Sequence, residues 1–479
     1  MRELIRNKLI LDRNFYRKAL SLLVPVFFQS VINQGVNMMD TLMVGRLGEV
    51  AISASSLANQ FYNIYFFLIM GFSAAGLVLS SQYWGAGEKK SSFAVMDFMV
   101  QLTAVSAVLF AAASLLLPEQ IMGLYTSEAA VIEQGARYLR VTAFVFLPHG
   151  IALLSANMVR SMGNARLGLI VSLISFAVNI AANYVFIFGK LGFPALGVQG
   201  AAVGTLIARV VELITCLVYL LVIDKKTGYS VNNLLKPPSR LLRSEFFRLG
   251  MPAIVSDTLM ALSLSAVGMI LGHMGKEYVS SYSIVTVVDR MCTIAATGTA
   301  SAAGVLVGHT VGAGDNELAR RQGYSFLAMS VLIGLIGCVL ILIVGEWSIG
   351  LYNVTAQTAE IAKEMMIASA FVVVFQNVSS TLGKGVLRGG GDTRFLMFGD
   401  VIFQWIASIP LGILAGIVLR LPPWVVLVSV KADYIIKTFW FTGRLGTDKW
   451  FHRARKETSP KRRDGEEYQK SNTISQKTI

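Results

Sequence analysis

Three polar side chains stand at helical spacing inside an apolar stretch near the amino end of the chain. In VINQGVNMMDTLMVGR, the residues Asn33, Asn37 and Asp40 are spaced i, i+4 and i+7, which places them on one face of a helix. Asn179 and Asn183 repeat the i, i+4 spacing further along the chain. Because a charged side chain at the centre of a bilayer costs roughly 2.5–3.5 kcal/mol, we expect Asp40 to face a polar interior.

A carboxyl group beside carboxamides in such a place can act as a switch. Burial disfavours the charged form of an acid, so Asp40 is a candidate to take up a proton near neutral pH. The same oxygens, with backbone carbonyls, could instead surround Na⁺. The structural alternative is that these groups only form interhelical hydrogen bonds, each worth about 0.6 kcal/mol. A helix pair needs no carboxylate for that purpose, which favours a functional role for Asp40.

Composition indicates the environment of these residues. The chain has 479 residues, of which 54% are hydrophobic and 15% are charged, whereas soluble domains carry roughly 25% charged residues. The three cysteines and four histidines show no disulfide or zinc spacing. We therefore expect a polytopic membrane protein surrounded by lipid, with no cofactor and no resident metal. The basic stretch before the first apolar run has no small-residue cleavage site, so we do not expect a signal peptide.

Twelve apolar runs are long enough to cross a bilayer as helices. They lie near 15–38, 51–80, 94–117, 137–158, 167–189, 196–222, 247–271, 278–308, 323–344, 361–386, 395–419 and 421–443. Of the 42 lysines and arginines, 31 fall on one side of this arrangement and 7 on the other. Basic loops stay in the cytoplasm. The pattern thus predicts a multi-pass cell-membrane protein with both termini cytoplasmic. The net charge of +14 is explained by these basic cytoplasmic loops and does not indicate nucleic-acid binding.

The two halves of the chain repeat each other with a shift of 227 residues. Pro25 falls on Pro252, QYWGAGE falls on HTVGAGD, and, with one extra residue, RSMGNAR falls on RGGGDTR. Six spans per copy make the copies parallel, which predicts an all-α fold of two six-helix bundles related by a pseudo-two-fold axis along the membrane normal. Two facing bundles enclose a central cleft, the usual place for a transport site. The repeat places Val267 opposite Asp40, so the second bundle is built without that carboxyl group.

These boundaries divide the chain into four parts. They are an amino-terminal bundle (1–222), a cytoplasmic linker (223–246), a carboxy-terminal bundle (247–444) and a disordered cytoplasmic tail (445–479).

The ordered series of motifs resembles the multidrug and toxic compound extrusion (MATE) family. It includes NMMDTLMVGRLG, QYWGAGE, RSMGNAR and NIAANYVFIFG in the first half, and VGHTVGAGD, VLRGGGDTR and RLGTDKW in the second. The resemblance implies an antiporter, not an enzyme, that exports amphipathic and often cationic small molecules in exchange for H⁺ or Na⁺. It also implies a cation site at Asp40, Asn179, Asn183 and Thr205, with Asn37 as a neighbour. Some relatives carry aspartate at the position of Asn183, so both coupling ions remain open.

The second bundle contains further candidates for the substrate cavity. Positions that form an additional acidic site in sodium-coupled relatives align here with Met260 and Asn377, so that site is altered, and Asp257 lies one turn away. Asp289 and Arg290 are adjacent within the eighth span, where we expect either neutralising partners or a place on the cavity wall. Other candidate cavity residues are Asn33 and Tyr62. Asp257 could attract a cationic substrate.

Three other charge clusters predict simpler roles. Arg209 and Glu212 are one helical turn apart and should form a local ion pair. Lys431, Asp433 and Lys437 on the last span are expected to reach towards the cytoplasmic surface. Asp400 lies near the end of a span, where solvation is expected.

The main alternative is a related flippase for lipid-linked oligosaccharides or lipids. Its groove should show several basic residues facing the cleft to hold pyrophosphate, and Arg290 is the principal candidate. A major-facilitator transporter is disfavoured because the second cytoplasmic loop lacks that family's Asp-Arg-x-Gly-Arg-Arg pattern. An intramembrane enzyme would need paired aspartates or a Ser/His or His/Glu constellation, and no such spacing occurs. We expect a monomer, because one chain supplies both bundles.

Overall fold

The structure is a computed structural model and describes residues 9–224, 228–230, 233–352 and 354–455. Its helices are α1 (Arg13–Gly45), α2 (Glu49–Gly85), α3 (Lys89–Leu116), α4 (Pro118–Gly123), α5 (Ala129–Thr142), α6 (Phe146–Ser161), α7 (Arg166–Phe188), α8 (Val198–Ile223), α9 (Arg240–Met274), α10 (Lys276–Ala313), α11 (Asn316–Gly350), α12 (Ala356–Leu387), α13 (Thr393–Val418), α14 (Pro423–Val430) and α15 (Ala432–Leu445).

Most of these helices are long enough to cross a membrane. In the described part of the chain, ten are long and apolar enough, and α5 and α6, bent by 54° relative to each other, make an eleventh when they are counted as one span. The twelfth predicted run is divided between α14 and α15, which meet at Lys431 and carry two further charges, Asp433 and Lys437. The all-α fold is confirmed, with its last crossing broken by charged residues.

The helices follow the repeat found in the sequence. Each of five helices in the first half begins 227 residues before its counterpart: α1 before α9, α2 before α10, α3 before α11, α5 before α12 and α7 before α13. Both α1 and α9 contain the aligned proline within the helix. The two parallel six-span bundles predicted from the repeat are therefore present. Helix α9 begins at Arg240, within the segment predicted as a linker.

The two bundles interlock through the first helix of each half. Phe15 at the start of α1 packs edge-on against Phe326 of α11, with ring centroids 5.4 Å apart. In the other direction, Phe246 near the start of α9 packs against Phe98 of α3, with centroids 5.1 Å apart. Each bundle thus completes part of the apolar core of the other. This exchange joins the halves more firmly than a flat interface would.

The halves also meet at one end of the molecule, here named the basic end, where α2 and α10 finish and the loops are rich in lysine and arginine. The His309 ring nitrogen Nε2 lies 2.6 Å from the carbonyl oxygen of Ser161 in the opposite half. A methyl group on Gly85 would lie 2.0 Å from the carbonyl oxygen of His309. Only glycine permits so close an approach of the two backbones, so the bundles are sealed against each other at the basic end.

A segment after the last helix reinforces this seal. Residues 450–455, here named the strap, cross the basic end and contact both halves. Gln82 of α2 donates to the His452 carbonyl (3.2 Å) and accepts from the Ala454 amide (2.7 Å). The His452 amide donates to Gly390 in the second half (2.7 Å), and Arg453 donates to Gly314 (2.6 Å).

The prediction of disorder is therefore wrong for residues 445–455, since Leu445 ends α15 and residues 450–455 form the strap. Trp450 is completely buried in the apolar cluster at the basic end. The polar composition of this segment led to the prediction of disorder. The strap is nevertheless ordered, because it is held mainly by backbone hydrogen bonds, which do not depend on side-chain type. The remaining part of the predicted tail, 456–479, lies outside the described residues.

We predict that Trp450→Ala will lower the free energy of unfolding by about 3–5 kcal/mol, because it removes a large buried ring. The measurement is thermal unfolding of the detergent-solubilised protein, followed by the loss of the monodisperse peak in size-exclusion chromatography. Trp424→Ala is the matched control, since Trp424 is 51% exposed. Equal shifts for the two variants would contradict a specific role for the strap.

Candidate functional site

Helices α1 and α7 bring the predicted polar side chains together. Asn183 donates through Nδ2 to Oδ1 of Asp40 at 2.5 Å and to Oδ1 of Asn179 at 3.3 Å. Both asparagines are buried, and Asp40 is half-buried. The i, i+4 spacing on α7 therefore presents two carboxamides to one carboxyl group on α1. Such a bond joins two helices through a group whose charge can change.

Helix α8 fixes the position of Asn183. A methyl group on Gly204 would lie 2.1 Å from Oδ1 of Asn183, so the absence of a side chain at Gly204 makes room for the carboxamide. Thr205 is the next residue and is half-buried. Among the described residues, no hydrogen bond joins Thr205 to Asp40 or to the two asparagines. Asn37 lies one turn before Asp40 and faces the central cleft.

Asp40 has no fixed counter-ion. Arg209 of α8 is near enough to attract the Asp40 carboxylate, but its own ion pair is with Glu212, at 2.6 Å. Within the described ranges, no lysine or arginine lies within ion-pairing distance of Asp40. The predicted pair of Arg209 and Glu212 is confirmed, and both residues also line the cleft. Asp40 can therefore gain or lose charge without breaking a salt bridge.

A cavity of about 640 Å³ lies between the two bundles. Three of the seven predicted cavity residues are on its wall, namely Asn33, Tyr62 and Asp257. Asn37, the predicted neighbour of the cation site, also lines it. Tyr62 forms a short hydrogen bond with Nδ1 of His149. The volume is in the range of pockets that take drug-sized ligands.

The other four predicted cavity residues lie elsewhere, and these predictions are corrected. Asp289 is buried against Lys431, and Arg290 is exposed on α10. Asn377 is buried and donates to the backbone carbonyl of its own helix. Met260 lies beside a smaller cavity of about 80 Å³. The sequence shows that these residues lie on helices, but it does not show which face of each helix points towards the cleft. Their side chains could therefore not be placed until the packing of the helices was known.

The last span carries a buried ionic network rather than side chains that reach the surface. Lys437 lies 2.7 Å from Asp433 and 3.1 Å from Asp400. Lys431 lies 3.0 Å from Asp289, which also accepts a hydrogen bond from Ser369 at 2.8 Å. The expectations that these lysines reach the surface and that Asp400 is solvated are wrong. Inside the bundle, each charge instead requires an opposite charge nearby.

Asp257 is on the cleft wall but is not free to attract a cation. Its Oδ1 lies 3.3 Å from Nζ of Lys384 and 3.7 Å from the Arg388 guanidinium. Both basic residues come from α12 or its end and also line the cleft. The expectation of a cationic substrate relied on an uncompensated carboxylate at this position, and the two neighbouring cations remove that support.

Arg160 of α6 is a fourth basic residue on the cleft wall, together with Arg209, Lys384 and Arg388. The spans predicted from the sequence exclude Arg160 and Arg388 and place Lys384 at the end of one span. The signal was nevertheless available, because the repeat aligns Arg160 in RSMGNAR with Arg388 in RGGGDTR. Residues that occupy equivalent places in two facing bundles are expected to face the same central space.

Comparison with known families matches the MatE family over residues 25–185 and again over 252–414. The two matches begin at the two prolines that the internal repeat aligns. The probable multidrug resistance protein NorM of Agrobacterium fabrum is 26% identical over 447 residues, covering 90% of this chain and 96% of the relative. The probable NorM of Thermotoga maritima is 27% identical over 401 residues, covering 83% and 84%.

Solved structures have the same fold. A Vibrio cholerae MATE transporter, VcmN, superposes with a TM-score of 0.82 at 15% identity, covering 92% of this chain and 99% of that chain. A MOP-superfamily transporter from Pyrococcus furiosus has a TM-score of 0.80 at 16% identity, covering 89% and 95%. The family match confirms the resemblance inferred from the motifs, and the superpositions confirm the predicted fold class.

We predict that Lys437→Met will destabilise the protein by about 3–5 kcal/mol, because it leaves Asp433 and Asp400 buried without their cation. Thermal unfolding in detergent is the measurement. Arg137→Met is the control, since Arg137 pairs with Glu133 on the surface, where both side chains are more than half exposed and ion pairs contribute little. If both variants unfold at the wild-type temperature, the network is not what stabilises the last span.

Proposed function

The chain belongs to the MatE family of transporters, and from that premise we propose that it is a secondary antiporter exporting amphipathic small molecules in exchange for H⁺ or Na⁺. A family of transporters is consistent with the prediction that the chain is not an enzyme. The relatives are named as multidrug resistance proteins, and we propose drugs and toxic metabolites as the substrates here. The proposal places the protein in the cell membrane as a monomer, with the basic end and both termini towards the cytoplasm.

The observation that carries the proposal is the hydrogen bond from Asn183 to Asp40. A neutral donor stabilises the carboxylate without cancelling its charge, so the group remains able to bind a proton or a sodium ion. Protonation adds a donor to the Asp40 carboxyl group, and that donor needs an acceptor, which Oδ1 of Asn183 can supply if the carboxamide turns, since this oxygen has no hydrogen-bond partner among the described groups. The set of hydrogen bonds between α1 and α7 therefore depends on the charge of Asp40.

Helix α1 is suited to convert that change into movement. Pro25 lies inside the helix and removes one backbone hydrogen bond, which is a common cause of bending. The part of α1 before Pro25 packs against the second bundle, and the part after it carries Asp40. A bend at Pro25 would move Asp40 and the cleft wall relative to the sealed basic end. Antiport then requires only that ion and substrate favour different states of this element.

One observation favours the second candidate, a flippase of related fold. Such a groove needs several basic residues facing the cleft, and Arg160, Lys384 and Arg388 supply them. The two candidates differ in whether the transported molecule is dissolved in water or anchored in lipid. Dye accumulation and lipid translocation in vesicles distinguish them.

We predict that Asp40→Asn will abolish gradient-driven accumulation of dye in everted membrane vesicles while the protein remains inserted and abundant. The carboxamide has nearly the shape of the carboxyl group but cannot carry its charge or bind a proton in exchange. Accumulation is measured for ethidium, a cation, and for carboxyfluorescein, an anion, driven in turn by a proton gradient and by a sodium gradient. The gradient that supports wild-type accumulation identifies the coupling ion.

Glu133→Gln is the control, because Glu133 is a surface acid far from the cleft, and it should behave as wild type. If Asp40→Asn vesicles still accumulate dye and still dissipate the gradient when dye is added, Asp40 is not the coupling group.

A further inference from the structure

We propose that the cleft binds amphipathic organic anions, whose carboxylate, sulfonate or phosphate group is held between Arg160 of the first bundle and Arg388 of the second. The inference deepens the proposed function, because it assigns a substrate class to the cleft through which transport is proposed. It reverses the sign of charge that the resemblance to known exporters led us to expect.

The charges on the cleft wall do not cancel. Its basic residues are Arg160, Arg209, Lys384 and Arg388, and its acidic residues are Glu212 and Asp257. Arg209 and Glu212 neutralise each other. Asp257 is shared by Lys384 and Arg388 and can balance only one of them.

Arg160 is the least compensated of the four cations. In the described structure, no carboxylate lies within ion-pairing distance of it, and the partner of its guanidinium is the side-chain oxygen of Asn157. Asn157 is in turn held by a hydrogen bond to Ser73. A guanidinium that lines the cleft, is held in place by a neutral amide and lacks a counter-ion is prepared to bind an anion.

The internal repeat relates Arg160 to Arg388, and both residues line the same cavity, one from each bundle. Both lie towards the basic end, where close contact between α2 and α10 closes the cleft. An anion between them would be held from both halves at once. Guanidinium groups suit this role, because their planar array of donors matches the oxygens of carboxylate and phosphate groups.

The remainder of the wall fits an apolar body attached to that group. Phe66, Met70 and Leu77 of α2 and Leu153 of α6 line the same cavity. Aromatic and methionine side chains adapt to ligands of varied shape. The site as a whole therefore favours an amphipathic anion over a small hydrophilic one.

This assignment affects how coupling works. Asp40 is the one acidic group proposed to change its charge, and its neutralisation would make the cleft region more positive. Protonation of Asp40 would thus favour binding of the anion to the same state of the protein. This electrostatic effect by itself opposes exchange of the two. Antiport of an anion must accordingly depend on the altered geometry of α1 rather than on competition between charges.

The test is binding of carboxyfluorescein and ethidium to the detergent-solubilised full-length protein, measured by fluorescence anisotropy without any ion gradient. We expect carboxyfluorescein to bind the wild type more tightly than ethidium. Arg160→Gln and Arg388→Gln should each weaken carboxyfluorescein binding about tenfold or more, the usual cost of losing a hydrogen bond to a charged group. Arg160→Lys should retain much of the affinity, and Arg137→Gln, on the surface, should retain all of it.

Asp257→Asn provides a test in the opposite direction. Removing this carboxylate frees Lys384 and Arg388, so carboxyfluorescein binding should become tighter, whereas a folding defect would weaken it. If the cleft instead takes cations, Asp257→Asn will weaken ethidium binding and the arginine variants will strengthen it, and that result overturns the proposal. Tighter binding of ethidium than of carboxyfluorescein by the wild type does so as well.

Two further measurements separate this inference from the proposed function. Asp40→Asn should lose transport but still bind carboxyfluorescein. If wild-type vesicles accumulate neither dye under either gradient while the protein binds carboxyfluorescein, export is rejected and the anion site remains. Translocation of fluorescent phosphatidylglycerol across proteoliposomes, followed by dithionite quenching, distinguishes the source of the anionic group. Arg160-dependent translocation assigns the site to a lipid headgroup. Carboxyfluorescein binding without translocation assigns it to a dissolved anion.

Discussion

The cost of burying charge in a medium that cannot solvate it governs the arrangement of this protein. Nearly every charged group inside the bundles has an opposite charge beside it, as with Lys437 between Asp433 and Asp400. Asp40 and Arg160 are different, because each is held by a carboxamide. A salt bridge fixes a charge permanently, whereas a carboxamide stabilises it and leaves it available. Charges held in salt bridges therefore stabilise the structure, whereas the charges held by carboxamides are those proposed to bind the coupling ion and the substrate.

The two bundles use this division differently. The second bundle contains the ionic network of α10, α13 and the last span, which replaces apolar packing where the final crossing is broken at Lys431. In the described part of the first bundle, Asp40 and its asparagines lie near a single ion pair, Arg209 with Glu212, rather than such a network. Since buried ion pairs impose strict geometry, the second bundle is suited to act as the rigid partner. The first bundle, with Pro25 in its first helix, is suited to move.

The basic end limits what that movement can be. Backbone contact at Gly85, the interlocked starts of α1 and α9, and the strap all join the two halves on that side. Opening the cleft there would require Gln82 to release His452 and Ala454 and would expose Trp450. The proposed alternating access would therefore require the strap to move, because the sealed state is held in part by a segment that follows the last helix.

Much of this organisation follows from the sequence alone. The apolar runs, the 227-residue repeat and the parallel bundles could all be predicted, because bilayer thickness and helical periodicity act locally along the chain. The convergence of Asp40 with Asn179 and Asn183 was instead implied by the resemblance to a known family. Only the tertiary structure decided which way the remaining charges point. Asp289 finds its partner 142 residues away at Lys431, the strap docks on residues more than 300 positions earlier, and Arg160 faces the cleft from what reads as a loop. Such partners meet only when the helices pack, because the direction of a side chain around a helix has no physical meaning until a neighbouring helix is present.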